Sequence, residues 1–240
     1  MHFDPTILAG YWPILLDGAW LTIRLSAVAF VAGYAIGILV ALVALMPGRL
    51  PRFAAGVYIE VLRSIPFIII LFVVYYGLPF SGIRLPATLV GTTALALFAS
   101  AYYAEIVRSA ILALPRGQFE SARAIGMSPA RAMRHVVAPQ ILRPLVPPST
   151  NMTLTMMKES AVLSSITVPE LTYQSLVVQG NTFAPFEVFA AVAGLYWLIA
   201  IVIAALAAGL ERRVDAPQAA RVAGSPIAAR YLSLSARRPS

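Results

Sequence analysis

Lys158 is the only lysine in this chain, and Glu159 follows it directly inside an otherwise hydrophobic stretch. Met152, Leu154, Met156 and Met157 precede the pair and Ala161 to Leu163 follow it. Charges at membrane depth are costly and face a cavity or a partner. The pair therefore reads in one of two ways: as charges neutralised by each other or by a protein neighbour, or as contacts for a polar solute passing between helices. Glu60 with Arg63, and Glu105 with Arg108, are further charged pairs at i,i+3 spacing, which puts both members on one side of a helix. Snorkelling accounts for the two arginines without any function. Were the two helices neighbours, the four charges would form a gate at that end of the molecule.

Other chemistries are excluded by what the sequence lacks. There is no cysteine, hence no disulfide, thiol chemistry or Cys-ligated metal, and two histidines, His2 and His135, argue against a multi-histidine site. No G-x-x-x-x-G-K-[ST] occurs, so this chain is not its own ATPase by that route. Neither a Ser/His/Asp set nor paired carboxylates in a soluble pocket can be assembled. We expect no enzyme activity, no metal and no resident cofactor.

Between hydrophobic segments lies a basic, non-spanning stretch, Arg116 to Pro139. Its local chemistry predicts helix, turn, helix. Gln118 to Ile125 is helical in composition, and Gly126 suits the left-handed position that ends a helix. Ser128 supplies an N-cap oxygen, and Pro129 stands where the first helical residue needs no N–H. The product is a compact charged knob. Two fates fit it: a cationic hairpin resting on anionic lipid, or a knob held by another protein.

These features need a membrane scaffold to position them. The 240 residues are 60% hydrophobic and 12% charged, with mean hydropathy +0.81, whereas soluble domains are about a quarter charged. We therefore expect an all-α integral membrane protein with five transmembrane helices. They run from Leu25 to Gly48, Phe53 to Pro79, Pro86 to Leu114, Pro148 to Val168 (interrupted by Lys158-Glu159) and Glu187 to Leu210. Gly33 and Gly37 form a G-x-x-x-G suited to close helix packing. Residues 1–17 form a short N-terminal segment without the basic start of a signal peptide. Pro169 to Phe186 reads as a polar interlude. Residues 213–240 are rich in Ala, Arg, Ser and Pro, and we expect a disordered tail.

The net charge of +8 flanks the spans and makes no basic face, so it is a topology signal, with no nucleic acid as partner. Arg49, Arg52, Arg116, Arg123, Arg131, Arg134, Arg143 and the tail arginines fall on one side. Arg84 is the exception, and Asp4, Asp17, Glu170 and Glu187 fall opposite. The N-terminus is thus expected outside, with the hairpin and C-terminus cytoplasmic.

The hairpin resembles the cytoplasmic EAA loop of binding-protein-dependent ABC importer permeases. It stands here as Glu120-Ser121-Ala122, Gly126, Val136, Ala138 and Pro139, every spacing kept, with Ser121 for Ala, Val136 for Ile and Ala138 for Leu. Gly18-Ala19-Trp20-Leu21-Thr22 is similar to that family's entry into its first core helix. Tyr58-x-Glu60-x-x-Arg63-Ser64-x-Pro66, followed by Tyr75-Tyr76, is similar to its second. Ala101-Tyr102-x-Ala104-Glu105-x-x-Arg108-Ser109-Ala110-Ile111, then Pro115-x-Gly117-Gln118, resembles the polar amino-acid branch (histidine, glutamine, glutamate and arginine importers). Lys158-Glu159-Ser160-Ala161-Val162-Leu163 is similar to that branch's K-[DE]-[TS]-S-L segment, Ala161 replacing the usual hydroxyl. The resemblance covers about Gly18 to Arg212.

The resemblance implies a type I ABC importer permease of a bacterial inner membrane, with residues 18–212 as the transmembrane domain and about 116–139 as coupling loop. ATP and Mg would be bound by separate ATPase subunits holding Glu120, Ser121, Ala122, Arg123, Gly126 and Pro139. A second permease subunit, identical or paralogous, would complete the pathway, a substrate-binding protein would dock outside, and lipid would surround the assembly. Lys158, Glu159, Ser160, Tyr75 and Tyr76 would line or support the amino-acid pathway. The rivals are a secondary transporter, a non-transporting assembly subunit or, within the family, a permease for another small zwitterion.

Overall fold

Glycine at 33 and 37 lets α1 (Trp12–Ala44) lie directly on α4 (Ala87–Leu112), the most extensive helix contact in the protein. A Cβ on Gly33 would stand 2.9 Å from the Ala96 carbonyl oxygen and 3.0 Å from the Ala99 Cβ. One on Gly37 would stand 2.8 Å from the Tyr103 Cβ and 2.9 Å from the Ser100 carbonyl oxygen. Ala29 and Ala41 of α1 and Ala96, Ala99 and Ala104 of α4 extend the small-residue contact and are buried. Lipid tails are as apolar as leucine, so helices in a bilayer associate through close contact of this kind. The expected packing role of the G-x-x-x-G is met, and α4 is its partner.

The structure, a computed structural model, describes residues 5–223, which form helices and short connections. Residues 1–4 and 224–240, including the outer part of the expected disordered tail, lie outside the described residues. By length and composition three helices can cross a membrane: α1, α4 and α9 (Pro185–Ala223), the last over Pro185–Val214. A fourth span results if α2 (Arg49–Ser64) and α3 (Phe67–Phe80) count as one.

The expected single second span is in fact this pair, bent by 105°. Pro66 has no N–H to donate, and it pushes Ile65 into extended backbone (φ −97°, ψ 132°). The expected fourth span also begins elsewhere. α7 (Ala138–Glu159) continues through Pro144, Pro147 and Pro148, and a 3-10 segment, Ser160–Ile166, follows it. α7 carries Arg143, Lys158 and Glu159 and is not among the helices apolar enough to cross a membrane, yet it packs on α4 and α9. The hydroxyls of Ser149, Thr150, Thr153 and Thr155 each donate to the carbonyl four residues earlier at 2.7–3.0 Å. The tail's beginning, residues 213–223, is helical as the end of α9, since alanine and arginine favour helix. The Arg143 guanidinium donates to the Val214 carbonyl at 3.3 and 3.4 Å.

Within the expected polar interlude stands α8 (Leu171–Thr182), which buries Leu171, Ser175 and Val178 on one face. Glu170 caps it and is fully buried. Its carboxylate accepts the backbone N–H groups of Thr172 (3.0 Å) and Tyr173 (2.8 Å). The Tyr196 hydroxyl of α9 donates to it at 3.0 Å, and Thr22 Oγ1 of α1 lies 3.4 Å from Oε2 while accepting the Leu171 N–H at 3.1 Å. One carboxylate thus joins α1, α8 and α9. Burial pushes its carboxyl above the usual carboxylate range, opposed by these hydrogen bonds.

Two stability predictions follow from these contacts. Gly37→Ala meets Cβ and backbone atoms that cannot swing away, so it should destabilise by about 1–3 kcal/mol. Gly56→Ala, with nothing within 4 Å of the added carbon, should be tolerated; thermal unfolding in detergent compares them, and equal midpoints would refute the close-contact argument. For Glu170, a raised folded-state pKa means that its stabilisation is complete below the pKa of an unfolded glutamate. That stabilisation is lost as pH rises through the folded value. The same assay should show a loss of stability as pH rises above the ordinary glutamate range that Glu170→Gln lacks, whereas matching pH profiles would show that Glu170 does not titrate there.

Candidate functional site

The hairpin forms as its residues dictate. α5 (Arg116–Ala124) stops at Ile125, and Gly126 takes φ +78° with no atom near its missing Cβ, so backbone freedom and not space requires glycine here. The Met127 N–H reaches back to the Ala122 carbonyl at 3.0 Å, and the Gly126 N–H to Arg123 at 2.9 Å. Ser128 Oγ accepts the Arg131 N–H at 3.4 Å, and Pro129 opens the one-turn α6 (Pro129–Ala132). A π-helical turn, Met133–Val137, joins α6 to α7, so the second arm is continuous with a helix of the bundle.

Ala122, Ala132 and Val137 are buried. Phe119 and Met133 pack against the cluster containing Ala104, Val107 and Ile111 of α4. Gln140 Nε2 donates to Gln118 Oε1 at 3.0 Å, tying α5 to α7. Glu120, Ser121, Arg123, Gly126 and Pro139 are exposed. Of the six residues expected to meet an ATPase, five therefore face outward, while Ala122 faces inward and serves the knob's own packing. The arrangement is a polar projection whose base is held by α4 and α7.

At the same end of α4 the charged pairs meet. α2 packs on α4, and Arg52, Glu60, Arg63, Glu105 and Arg108 line one cavity of about 730 Å³. Glu105 and Arg108 form a two-pronged ion pair, Nε to Oε2 at 2.9 Å and Nη2 to Oε1 at 2.6 Å. This is the only salt bridge among the described residues. Glu60 and Arg63 do not pair: Glu60 accepts the Ser64 hydroxyl at 3.3 Å, and Arg63 lies over the Tyr102 ring, 5.3 Å from its centroid. The expected neighbourhood of four charges exists, with one bridge in place of two.

The residues expected along the pathway are not gathered into one pocket. Lys158 and Glu159 sit at the C-terminal end of α7, Lys158 exposed and Glu159 half-buried, with no ion pair between them. Ser160 is fully buried and donates to the Met157 carbonyl at 2.6 Å. Tyr75 and Tyr76 of α3 meet edge to face at 5.1 Å and line a separate cavity of about 520 Å³ with Arg84. Sequence reasoning missed Glu170 and Arg52. The former was visible as an acidic residue just before Leu171, Ser175 and Val178, which stand at helical spacing. The latter counted only as a topology charge and belongs to the first turn of α2.

Residues 33–216 match the family described as "Binding-protein-dependent transport system inner membrane component". The chain is 32% identical over 210 residues to the probable glutamine ABC transporter permease protein GlnM of Bacillus subtilis (strain 168), covering 88% of this chain and 97% of that one. It is 31% identical over 216 residues to the glutamine transport system permease protein GlnP of Escherichia coli (strain K12), covering 89% and 99%. A solved structure described as "Crystal structure of an amino acid ABC transporter with histidines" superposes with a TM-score of 0.82 at 35% identity, covering 89% of this chain and all of that one. With the match spanning most of the bundle and the whole hairpin, the chain belongs to the binding-protein-dependent transport system inner membrane components, the permease family its coupling loop resembles.

Proposed function

We propose that this chain is the membrane subunit of an ATP-driven ABC importer and forms the passage for a polar amino acid. The observation that carries the reading is the hairpin: a knob with Glu120, Ser121 and Arg123 outward, whose second arm runs on through a π-helical turn into α7. The amino-acid class is supported by relatives named as glutamine permeases. Two ATPase subunits, which bind ATP and Mg, hold the hairpins of two permease subunits in the cytoplasm. A binding protein delivers substrate on the opposite side, where the N-terminus lies.

ATP binding draws the ATPases together, and the hairpin passes that movement to α4 and α7. Because ATP favours the closed ATPase pair, it shifts the permease between its inward- and outward-facing states. Glu120 and Gly126 carry the coupling, the first as a polar contact and the second by holding the turn. Lys158 and Glu159, with Ser160, Tyr75 and Tyr76 in support, serve the pathway once the second subunit completes it. Glu60, Arg63, Glu105 and Arg108 act as its cytoplasmic gate.

Affinity purification from the native host in mild detergent should bring down an ATPase with the wild type and lose it in a Glu120→Arg, Gly126→Trp double variant of matched expression. Absence of any ATPase from the wild type, with crosslinking before extraction, would defeat the importer reading and favour ion-driven transport by the chain alone. In reconstituted vesicles Glu159→Gln should lower substrate-dependent uptake while the ATPase remains bound. Wild-type kinetics in that variant would remove Glu159 from the pathway.

A further inference from the structure

α1 and α9 leave a groove of about 470 Å³ between them, floored by α7. Its walls are apolar: Ile23, Ala27 and Phe30 on α1, and Leu198, Val202 and Leu206 on α9. Met157 of α7, fully buried, closes the floor. Leu198, Val202 and Leu206 are each at least half exposed, so the groove opens sideways and is no sealed core cavity. Both walls belong to helices long and apolar enough to cross a membrane, so what lies outside the opening is bilayer.

Two polar features mark one end of this groove. Ser26 lines it, and Ser26 Oγ is buried without a hydrogen-bond partner. Thr22, Ser149 and Thr150 show the usual solution for a hydroxyl on such a helix, donation to the carbonyl four residues earlier. Ser26 does not adopt it, whereas Thr153, the other hydroxyl lining the groove, is bonded to the Ser149 carbonyl and to Tyr103. An unsatisfied hydroxyl in hydrocarbon is costly, so a carbonyl acceptor seated in the groove would be stabilised there. Arg24 is exposed, follows Ile23 and precedes the uncharged run Leu25 to Gly48. From Arg24 to Ala44 α1 rises about 30 Å, the thickness of a hydrocarbon core. Ala41 packs near the base of the hairpin, so Arg24 lies at headgroup depth in the opposite leaflet. Long side chains on a helix lean toward its N-terminus, here away from the hydrocarbon. Ser26 stands about 3 Å deeper, at the level of the esters beneath a lipid phosphate.

From the headgroup inward the order is cation, hydroxyl, apolar groove. A phospholipid presents phosphate, ester and acyl chain in that same order. A helix from a second copy of the chain would match the apolar part alone. We propose that this groove is a specific site for an anionic phospholipid: phosphate on Arg24, an ester carbonyl accepting from the Ser26 hydroxyl, and one acyl chain between α1 and α9. The seated lipid fixes the separation of the two helices. The site stands independently of the importer reading.

The test uses the full chain, extracted with the subunits that accompany it and placed in nanodiscs. It is photolysed with phosphatidylglycerol carrying a diazirine in one acyl chain, and adducts are mapped by peptide mass spectrometry. Phosphatidylcholine with the same chain, and the diether analogue of the phosphatidylglycerol, are compared at equal mole fraction. Adducts should concentrate on residues 23–30 and 198–206. Phosphatidylglycerol should exceed phosphatidylcholine there about fivefold, the advantage of one arginine near anionic headgroups. Arg24→Gln should remove that preference. The diester should exceed the diether by about the same factor, the contribution of one hydrogen bond, and Ser26→Ala should equalise the two. General loosening of the bundle changes all three lipids alike, so these selective losses identify the contacts. Ala27→Trp fills the groove and should clear both stretches of adducts; the Arg24 and Ser26 variants carry the test if it fails to fold. Adducts spread evenly over the exposed helix faces, or equal labelling of the wild type by all three lipids, would overturn the proposal. The chain has no cysteine, so Val202→Cys reports the rival occupant. A disulfide-linked dimer of that variant in nanodiscs would put a second copy at the groove and exclude the lipid.

Discussion

The close approach of α1 to α4 is the constraint from which the rest of the architecture follows. Where Gly33 and Gly37 press against Ala96, Ala99, Ser100 and Tyr103, no side chain separates the two backbones. Hydrocarbon offers no hydrophobic drive for two apolar helices to associate, so contact area at short range must supply it. α4 thereby becomes the central post. Most of its residues are buried, α2, α3 and α7 pack around it, and its end leads through three residues into the hairpin. A helix fixed so firmly along its length presents the Glu105–Arg108 bridge and the base of the knob in a defined place.

Polar groups inside the bundle follow a second rule, that each finds a partner. Tyr34 meets Ser149 at 3.2 Å, Tyr58 meets Ser100 at 2.6 Å and Tyr103 meets Thr153 at 3.0 Å, joining α1 to α7, α2 to α4 and α4 to α7. Glu170 is the fullest case, with backbone and hydroxyl donors from three helices around one carboxylate. Among the described residues Ser26 Oγ is the only buried side-chain oxygen or nitrogen without a partner. Against this background the cavity lined by Arg52, Glu60 and Arg63 stands apart. It is polar and concave, and Arg52, Glu60 and Arg63 are exposed there, so their charges need no partner within the protein.

The two ends of the molecule consequently differ in kind. At the Glu170 end, α8 is fastened to α1 and α9 by a saturated network that rigidifies it. At the hairpin end, the charges are partly exposed and sit beside a knob whose second arm is an extension of α7. The knob joins α7 through the π-helical turn and α4 through Ala113 to Pro115, and α4 lines the α2–α4 cavity. The break at Ile65–Pro66 confines α2 to that neighbourhood, since the chain turns through 105° there.

By itself the sequence determined what is local or compositional. The hydrophobic class, the stop at Gly126, the cap at Ser128 with Pro129 behind it, and the small-residue stripe of α1 depend on neighbours within a turn or two, so residue type suffices. Pro66 belongs with them; its break was written in the chain and outweighed by the hydrophobicity around it. The tertiary structure decided which helix the glycines meet, that Arg63 turns to Tyr102 and leaves Glu60, and that Lys158 and Glu159 stand apart at a helix end. It also decided that Glu170 is buried among donors from α1 and α9, and that Ala122 faces the knob's interior. Each of these turns on a distance between segments far apart in sequence. A charged residue states only that it requires a partner, and the packing of helices selects which one it finds.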